Sequence, residues 1–257
     1  AAAQPGENLI PNSGFEEGSA HWTLSSEVYG DNAGEINFDN YTIPLATNSD
    51  ANSTYTGGTG TTNVQASDGF NPQASISTGT GVDGTQALYL RSSGSIQRDD
   101  QDAMAGFKPT GYGSIHGPYA TSTVITVENG DSISLDFKAV GSGDDYEVFG
   151  LLRRVGASGN FINDNTNDSA NNVVLFAQRG ADTGGFVRVD KTGLSAGEYR
   201  FQFVGGTYDA TGGLVVGSNL YVDNIRLISS QQVTDSVASK IASQVTYQST
   251  ADDTEVE

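Results

Sequence analysis

The sequence contains no cysteine, one methionine, one tryptophan and two histidines, and only 12 of its 257 residues are basic. Each scarcity removes a class of explanation. Without cysteine no disulfide can staple the fold, and no thiolate can bind zinc or attack a substrate. The two histidines, His21 and His116, are too few for most acid–base chemistry, and His116 before Gly117-Pro118 reads as a turn residue. No Gly-x-Ser-x-Gly elbow, phosphate loop or zinc pattern occurs. Paired carboxylates can hydrolyse glycosides, but the acidic clusters here read as metal ligands, and a non-enzyme is expected. Against the few basic residues stand 31 acidic ones, for a formal net charge of -19. That balance repels nucleic-acid phosphates and anionic membrane surfaces. No apolar run approaches the length of a membrane span, and Ala1-Ala2-Ala3-Gln4 is no signal peptide. The chain reads as a monomeric internal module whose targeting lies elsewhere in a longer parent.

What is present is a β-protein. There are 33 glycines, with Ser, Thr and Asn crowding the segments between recurrent apolar runs, so disorder is excluded. The stretch Asn219–Ile228 alternates apolar and polar residues and reads as a half-buried strand with Asp223 in its middle. A carboxylate among apolar neighbours needs a partner, because a desolvated, unpaired charge costs several kcal/mol. The segment 8–18 followed by Trp22, at the other end of the chain, is the natural place for it. The fold class expected is all-β, an antiparallel β-sandwich of jelly-roll type with long loops and a short C-terminal helix.

In chain order, residues 1–7 are expected to be a tag or linker, 8–228 the sandwich, and 229–257 a junction to a following repeat. The segment 8–30 predicts a first strand, a turn at Glu17-Gly18-Ser19 and a strand around Trp22. Residues 31–82 and 94–118 read as long excursions, with short strand-like pieces at Ile36–Phe38 and Tyr41–Ile43. Strands are predicted at Thr121–Val127, Ser132–Ala139 (Ile133, Leu135, Phe137 and Ala139 on one face), Asp145–Val155, Val173–Gln178 and, at an edge, Phe186–Val189. Gly197–Val204 turns Tyr199, Phe201 and Phe203 inward, and Gly205–Gly213 reads as a Gly-rich loop. Apolar spacing of three and four over Val233–Ala242 suggests a helix capped by Thr234 or Asp235.

Two resemblances sharpen this. "NLIPNSGFEEG…W" and "LYVDNIRLI" resemble the opening and closing strands of carbohydrate-binding-module-like (galactose-binding-like) jelly rolls. In that family the opening Glu and the closing Asp hold a structural Ca²⁺, roles that would fall on Glu16 and Asp223. "HGPYATSTVITVENGDSISLDFKAVGSGDDYEVFGLL" and "AGEYRFQFVGGTYDATGGLVVGSNLYVDNIRLI" are similar to modules of giant calcium-dependent, repeat-in-toxin-type bacterial adhesins. "QVTYQSTADDTEVE" resembles the start of a cadherin-like repeat.

The residues offer three acidic sites. Glu16 and Asp223, with Asp83 and main-chain carbonyls, suit a hard cation wanting six to eight oxygens; otherwise Asp223 makes turn hydrogen bonds and Glu16 is solvated. Asp144, Asp145 and Glu147 with Asp209 form the second, since neighbouring carboxylates repel unless a cation intervenes; otherwise they make a solvated edge that blocks aggregation. Asp164, Asn165, Asn167 and Asp168 lack the glycine and terminal Glu of a helix-loop-helix calcium loop and read as a polar loop, as do Asp99, Asp100 and Asp102. Among the aromatics Trp22, Tyr29, Tyr112, Tyr119 and Tyr208, Trp22 is expected in the core. Tyr112 and Tyr208, with Asp209, are the candidates for a ligand surface. The expectation is an extracellular Ca²⁺-dependent module at a bacterial cell surface that binds a glycan or short peptide on a target cell, without membrane insertion. The alternative is a scaffold or spacer stiffened by Ca²⁺ with no ligand of its own.

Overall fold

The computed structural model describes residues 8–26, 35–38, 41–44, 73–92, 96–97, 113–141, 147–162, 169–179, 182–209, 214–215, 218–230 and 239–240. Its strands are β1 (Trp22–Ser25), β2 (Glu35–Phe38), β3 (Tyr41–Pro44), β4 (Gln73–Ser77), β5 (Ala87–Arg91), β6 (Ile96–Gln97), β7 (Gly113–Ser122) and β8 (Ile125–Val127). They continue with β9 (Ser132–Gly141), β10 (Glu147–Arg154), β11 (Asn172–Arg179), β12 (Val187–Lys191), β13 (Gly197–Asp209), β14 (Leu214–Val215) and β15 (Ser218–Ile228). One sheet runs β1-β7-β13-β10-β11 with β8 on β13, and a second runs β12-β9-β15-β5-β4. Every pairing is antiparallel. The protein is an all-β sandwich. The expected C-terminal helix lies outside the described residues apart from positions 230 and 239–240. Among the described residues no helix is long and apolar enough to cross a membrane.

The core forms because the strands alternate. Ile133, Leu135, Phe137 and Ala139 of β9, Leu88 and Leu90 of β5, and Leu220 and Val222 of β15 are buried from one sheet. Tyr199, Phe201 and Phe203 of β13 meet them from the other, with Trp22 against Phe203 at 5.8 Å and Phe137 stacked on Phe176 at 4.0 Å. Gly150 makes room for that stack: a Cβ there would lie 2.5 Å from the Phe176 ring.

Four expectations are corrected. The opening segment is a set of turns, not a strand. Pro11 has no N–H to give a ladder, and side chains replace it: Asn8 Nδ2 donates to Ile225 O at 2.7 Å, and Leu227 N donates to Asn8 Oδ1 at 3.2 Å. The Thr121–Val127 strand is two elements, β7 and β8, broken at Thr123 and Val124. The described part of the expected Gly205–Gly213 loop is strand: β13 runs to Asp209, with Tyr208 opposite Ser114 and Asp209 opposite Gly113. His116, expected in a turn, lies in β7 opposite Gly206.

Candidate functional site

The best-defined constellation is built where the opening segment, the turn before β5 and the middle of β15 meet. Asn12 folds the opening motif: its Nδ2 donates to Gly18 O (2.8 Å) and Ala20 O (2.9 Å), and its Oδ1 accepts from Glu17 N (3.0 Å). Phe15, fully buried, drops into the core 5.0 Å from Trp22. Burying Phe15 fixes its neighbour Glu16 at the surface, where Glu16 Oε1 accepts the Gln86 N–H at 2.8 Å and Glu16 O accepts from Gln86 Nε2 at 3.1 Å.

Asp223 comes from the other side on a β-bulge. Pairing with β9 runs Asp223 opposite Asp136 and then Arg226 opposite Ser134, so β15 carries one residue more. Asn224 absorbs it at φ 51, a left-handed conformation that Asn tolerates well. The bulge resets the alternation, which is why both Val222 and Ile225 are buried. Asp223 itself is 1% exposed. Its Oδ2 accepts the Val82 N–H (2.8 Å) and the Thr85 hydroxyl (3.1 Å), and its Oδ1 accepts the Asn224 N–H (2.7 Å). Burial pushes its carboxyl above the usual carboxylate range, Glu16 nearby adds to that, and the Val82, Asn224 and Thr85 donors pull it back only in part.

The turn closing this site is tight. Gly81 N donates to Thr85 O at 3.0 Å, and a Cβ on Gly81 would lie 2.4 Å from Gln86 O and 2.7 Å from both Asp223 Oδ2 and Thr85 Oγ1. Oxygens of three residues therefore converge on one small space beside Glu16. All are hard donors, the kind Ca²⁺ takes. Among the described residues no three His, Cys, Asp or Glu side chains come together as a metal-holding group. A cation here would draw on two carboxylates, Glu16 and Asp223, with the Gln86 carbonyl and the Thr85 hydroxyl. The donor set fits Ca²⁺ in kind. Asp83 sits in the same turn, exposed and at φ 55.

Gly81→Ala tests the cradle. Its Cβ would strike a backbone oxygen that cannot swing away, so a loss of about 3 kcal/mol is expected, a fall in Tm of roughly 10 °C. Gly18→Ala, at φ +65 with nothing within 4 Å of its Cβ, should cost only about 1 kcal/mol. Equal melting of the two variants would sink the cradle argument.

The other expected site residues are less gathered. Glu147 opens β10 opposite Arg179, and Tyr208 and Asp209 close β13. Asp144, Asp145, Tyr112, Tyr29, Asp164, Asn165, Asn167, Asp168, Asp99, Asp100 and Asp102 lie outside the described residues. Trp22 is in the core, as expected. Tyr119, half-buried, packs against Phe149, Leu151 and Val204. His21 is exposed at φ 67.

One surface went unread in the sequence. On the outer face of the second sheet, register sets Ser75, Tyr89, Tyr221 and Lys138 in one row across β4, β5, β15 and β9. Tyr89 and Tyr221 stack at 4.9 Å, Lys138 Nζ lies 4.3 Å from the Tyr221 ring centre, and Phe186 closes the row 5.1 Å beyond it. The signal was available: each of Tyr89, Tyr221 and Lys138 stands between two buried apolar residues, at the outward phase of its strand.

Among solved structures, the chain is similar to the CBM22-1 xylan-binding domain of Paenibacillus barcinonensis Xyn10C, with 12% identity over 88% of this chain and 97% of that one and a TM-score of 0.39. It is similar to the K1 cleaved adhesin domain of Lys-gingipain from Porphyromonas gingivalis W83, with 14% identity over 84% and 95% and a TM-score of 0.38. The tandem CBM22-1-CBM22-2 domain of the same Paenibacillus protein matches at 11% identity and a TM-score of 0.37; 90% of this chain is covered, and it spans about half (52%) of that one. No family model matches the sequence, and no curated protein matches it. These likenesses carry no residue-level correspondence to the site.

Proposed function

We propose that the chain is an extracellular, Ca²⁺-dependent module of a bacterial surface adhesin that binds a glycan on a target cell. The observation that carries the binding reading is the outward row of Tyr89, Tyr221, Lys138 and Phe186. Such a row braces the sheet and also presents aromatic rings outward. Tyr89 is partly exposed, stacks on Tyr221 and stands opposite the small residue Ser75 on its other side. A sugar ring laid on Ser75 would meet the Tyr89 ring, and aromatic rings with polar tips suit such contacts.

The calcium part rests on Asp223. A buried carboxylate beside a second carboxylate, with no cationic side chain bonded to it among the described residues, is an arrangement that a divalent cation relieves. Glu16, Asp223 and the Gln86 carbonyl would hold it. Ca²⁺ would neutralise the two carboxylates and lock the opening segment, the 81–86 turn and β15 together. The scaffold reading shares this calcium and differs only in having no ligand.

Titration of neutral and acidic oligosaccharides in calcium separates the two. Tyr89→Ala is expected to weaken glycan binding about tenfold in a protein that stays folded; the lost Tyr221 stack and Asn219 hydrogen bond should lower Tm by a few degrees. Wild-type protein that binds no glycan in calcium would leave the scaffold reading standing and this one overturned.

A further inference from the structure

Building on the glycan reading above, we infer that the open face of the second sheet selects an acidic glycan, one whose pyranose rings carry carboxylate groups. The chain bears a net charge of -19, and this face carries both signs. Lys138, Arg188 and Arg226 occupy outward positions of β9, β12 and β15, with Asp136, Asp190 and, bonded to the 81–86 turn, Asp223. Arg188 engages Asp136 and Asp190, at 3.4 Å and 3.6 Å, and Asp136 also accepts from Asn224 Nδ2 at 3.0 Å. Lys138 has no carboxylate or hydrogen-bond acceptor of its own among the described residues. Its ammonium is held between the rings of Tyr221 and Phe186, so a cation with free N–H donors is ordered before any ligand arrives.

Geometry matches charge. The row from Ser75 to Lys138 crosses three strand spacings, about 14 Å, the reach of a short oligosaccharide. A sugar seated on Ser75 against Tyr89 would direct its chain over the edges of Tyr89 and Tyr221 to the Lys138 ammonium. A carboxylate there gains charge-assisted hydrogen bonds that a neutral sugar cannot make.

The experiment uses the full chain in calcium with three probes: an oligogalacturonate, its methyl-esterified form of equal length, and a poly-glutamate peptide. The oligogalacturonate is expected to bind about tenfold tighter than the ester and to weaken as salt rises. Lys138→Gln should weaken oligogalacturonate binding about tenfold more than ester binding and flatten its salt dependence, a pattern that a folding defect or chelation at Glu16 and Asp223 would not give. Equal affinity for acid and ester would overturn the acidic preference while leaving the glycan reading intact. Equal binding of poly-glutamate would overturn it in favour of a general polyanion surface. Binding of neutral glycans untouched by Tyr89→Ala would place the ligand elsewhere and overturn it as well. No binding of any glycan would overturn both readings.

Discussion

In saturating calcium the protein is expected to melt roughly 10 °C higher than in chelator, and Asp223→Asn should erase that difference. A ligand that binds only the folded state adds RT ln(1 + [L]/Kd), about 4 kcal/mol at a thousandfold excess. The substitution keeps the size of Asp223 and one acceptor oxygen but removes its charge. In chelator the amide cannot accept all three hydrogen bonds that Asp223 accepts, so the variant should lie about 1–2 kcal/mol below wild type. In calcium it should fall behind by the whole binding term. Scanning calorimetry of both proteins in both buffers reads all four values. A wild type indifferent to calcium, or a variant equally destabilised in both buffers, would remove Glu16 and Asp223 as a cation site and leave Asp223 as a turn-closing acceptor.

Phe203→Ala should be as damaging and blind to calcium. Phe203 is fully buried at the centre of the sandwich, 5.8 Å from Trp22, 6.0 Å from Phe201 and 6.1 Å from Phe176. Truncating a buried Phe costs about 3–5 kcal/mol, from lost transfer energy and the cavity left behind, equivalent to roughly 10–15 °C here. Its neighbours are rings stacked on rings, which cannot slide in to fill the space. The same loss with and without calcium is expected, because the site is built on other residues. Glu198→Ala, exposed on the same strand, should stay within about 0.5 kcal/mol of wild type. If Phe203→Ala melts near wild type, the two sheets do not depend on this aromatic contact.

Much of the sandwich was legible because its strands obey a period of two. Ile133, Leu135, Phe137 and Ala139, and Tyr199, Phe201 and Phe203, face inward as their spacing requires. That Asp223 needs a partner was legible from a carboxylate stranded among apolar residues, whereas the pairing with Glu16 came from the resemblance of the opening motif. Periodicity said nothing of the β15 bulge, because a single left-handed residue, Asn224, costs no change of residue type. Nor did it reveal that Asn8 would take the place of a strand: a side chain imitating a ladder leaves no alternation behind. Tyr208 and Asp209 looked like loop residues because glycines surround them, but pairing with β7 holds that backbone extended. The Tyr89–Tyr221–Lys138 row was passed over for the opposite reason. Which outward residues stand side by side is set by register between strands far apart in the chain, and no local pattern records it.

The Asn8 clasp has a mechanical consequence. Residue 8 and the end of β15 are tied by Asn8 to Ile225 and Leu227 and by Ser13 to Ile225. Tension entering at residue 8 and leaving at residue 228 would pass through those few hydrogen bonds in an unzipping direction and bypass the long ladders between β9, β15 and β5. The opening turns would peel first, drawing Phe15 and Glu16 away from β15 while the two sheets stayed paired. Under pull the molecule would lengthen at its seam before it unfolded.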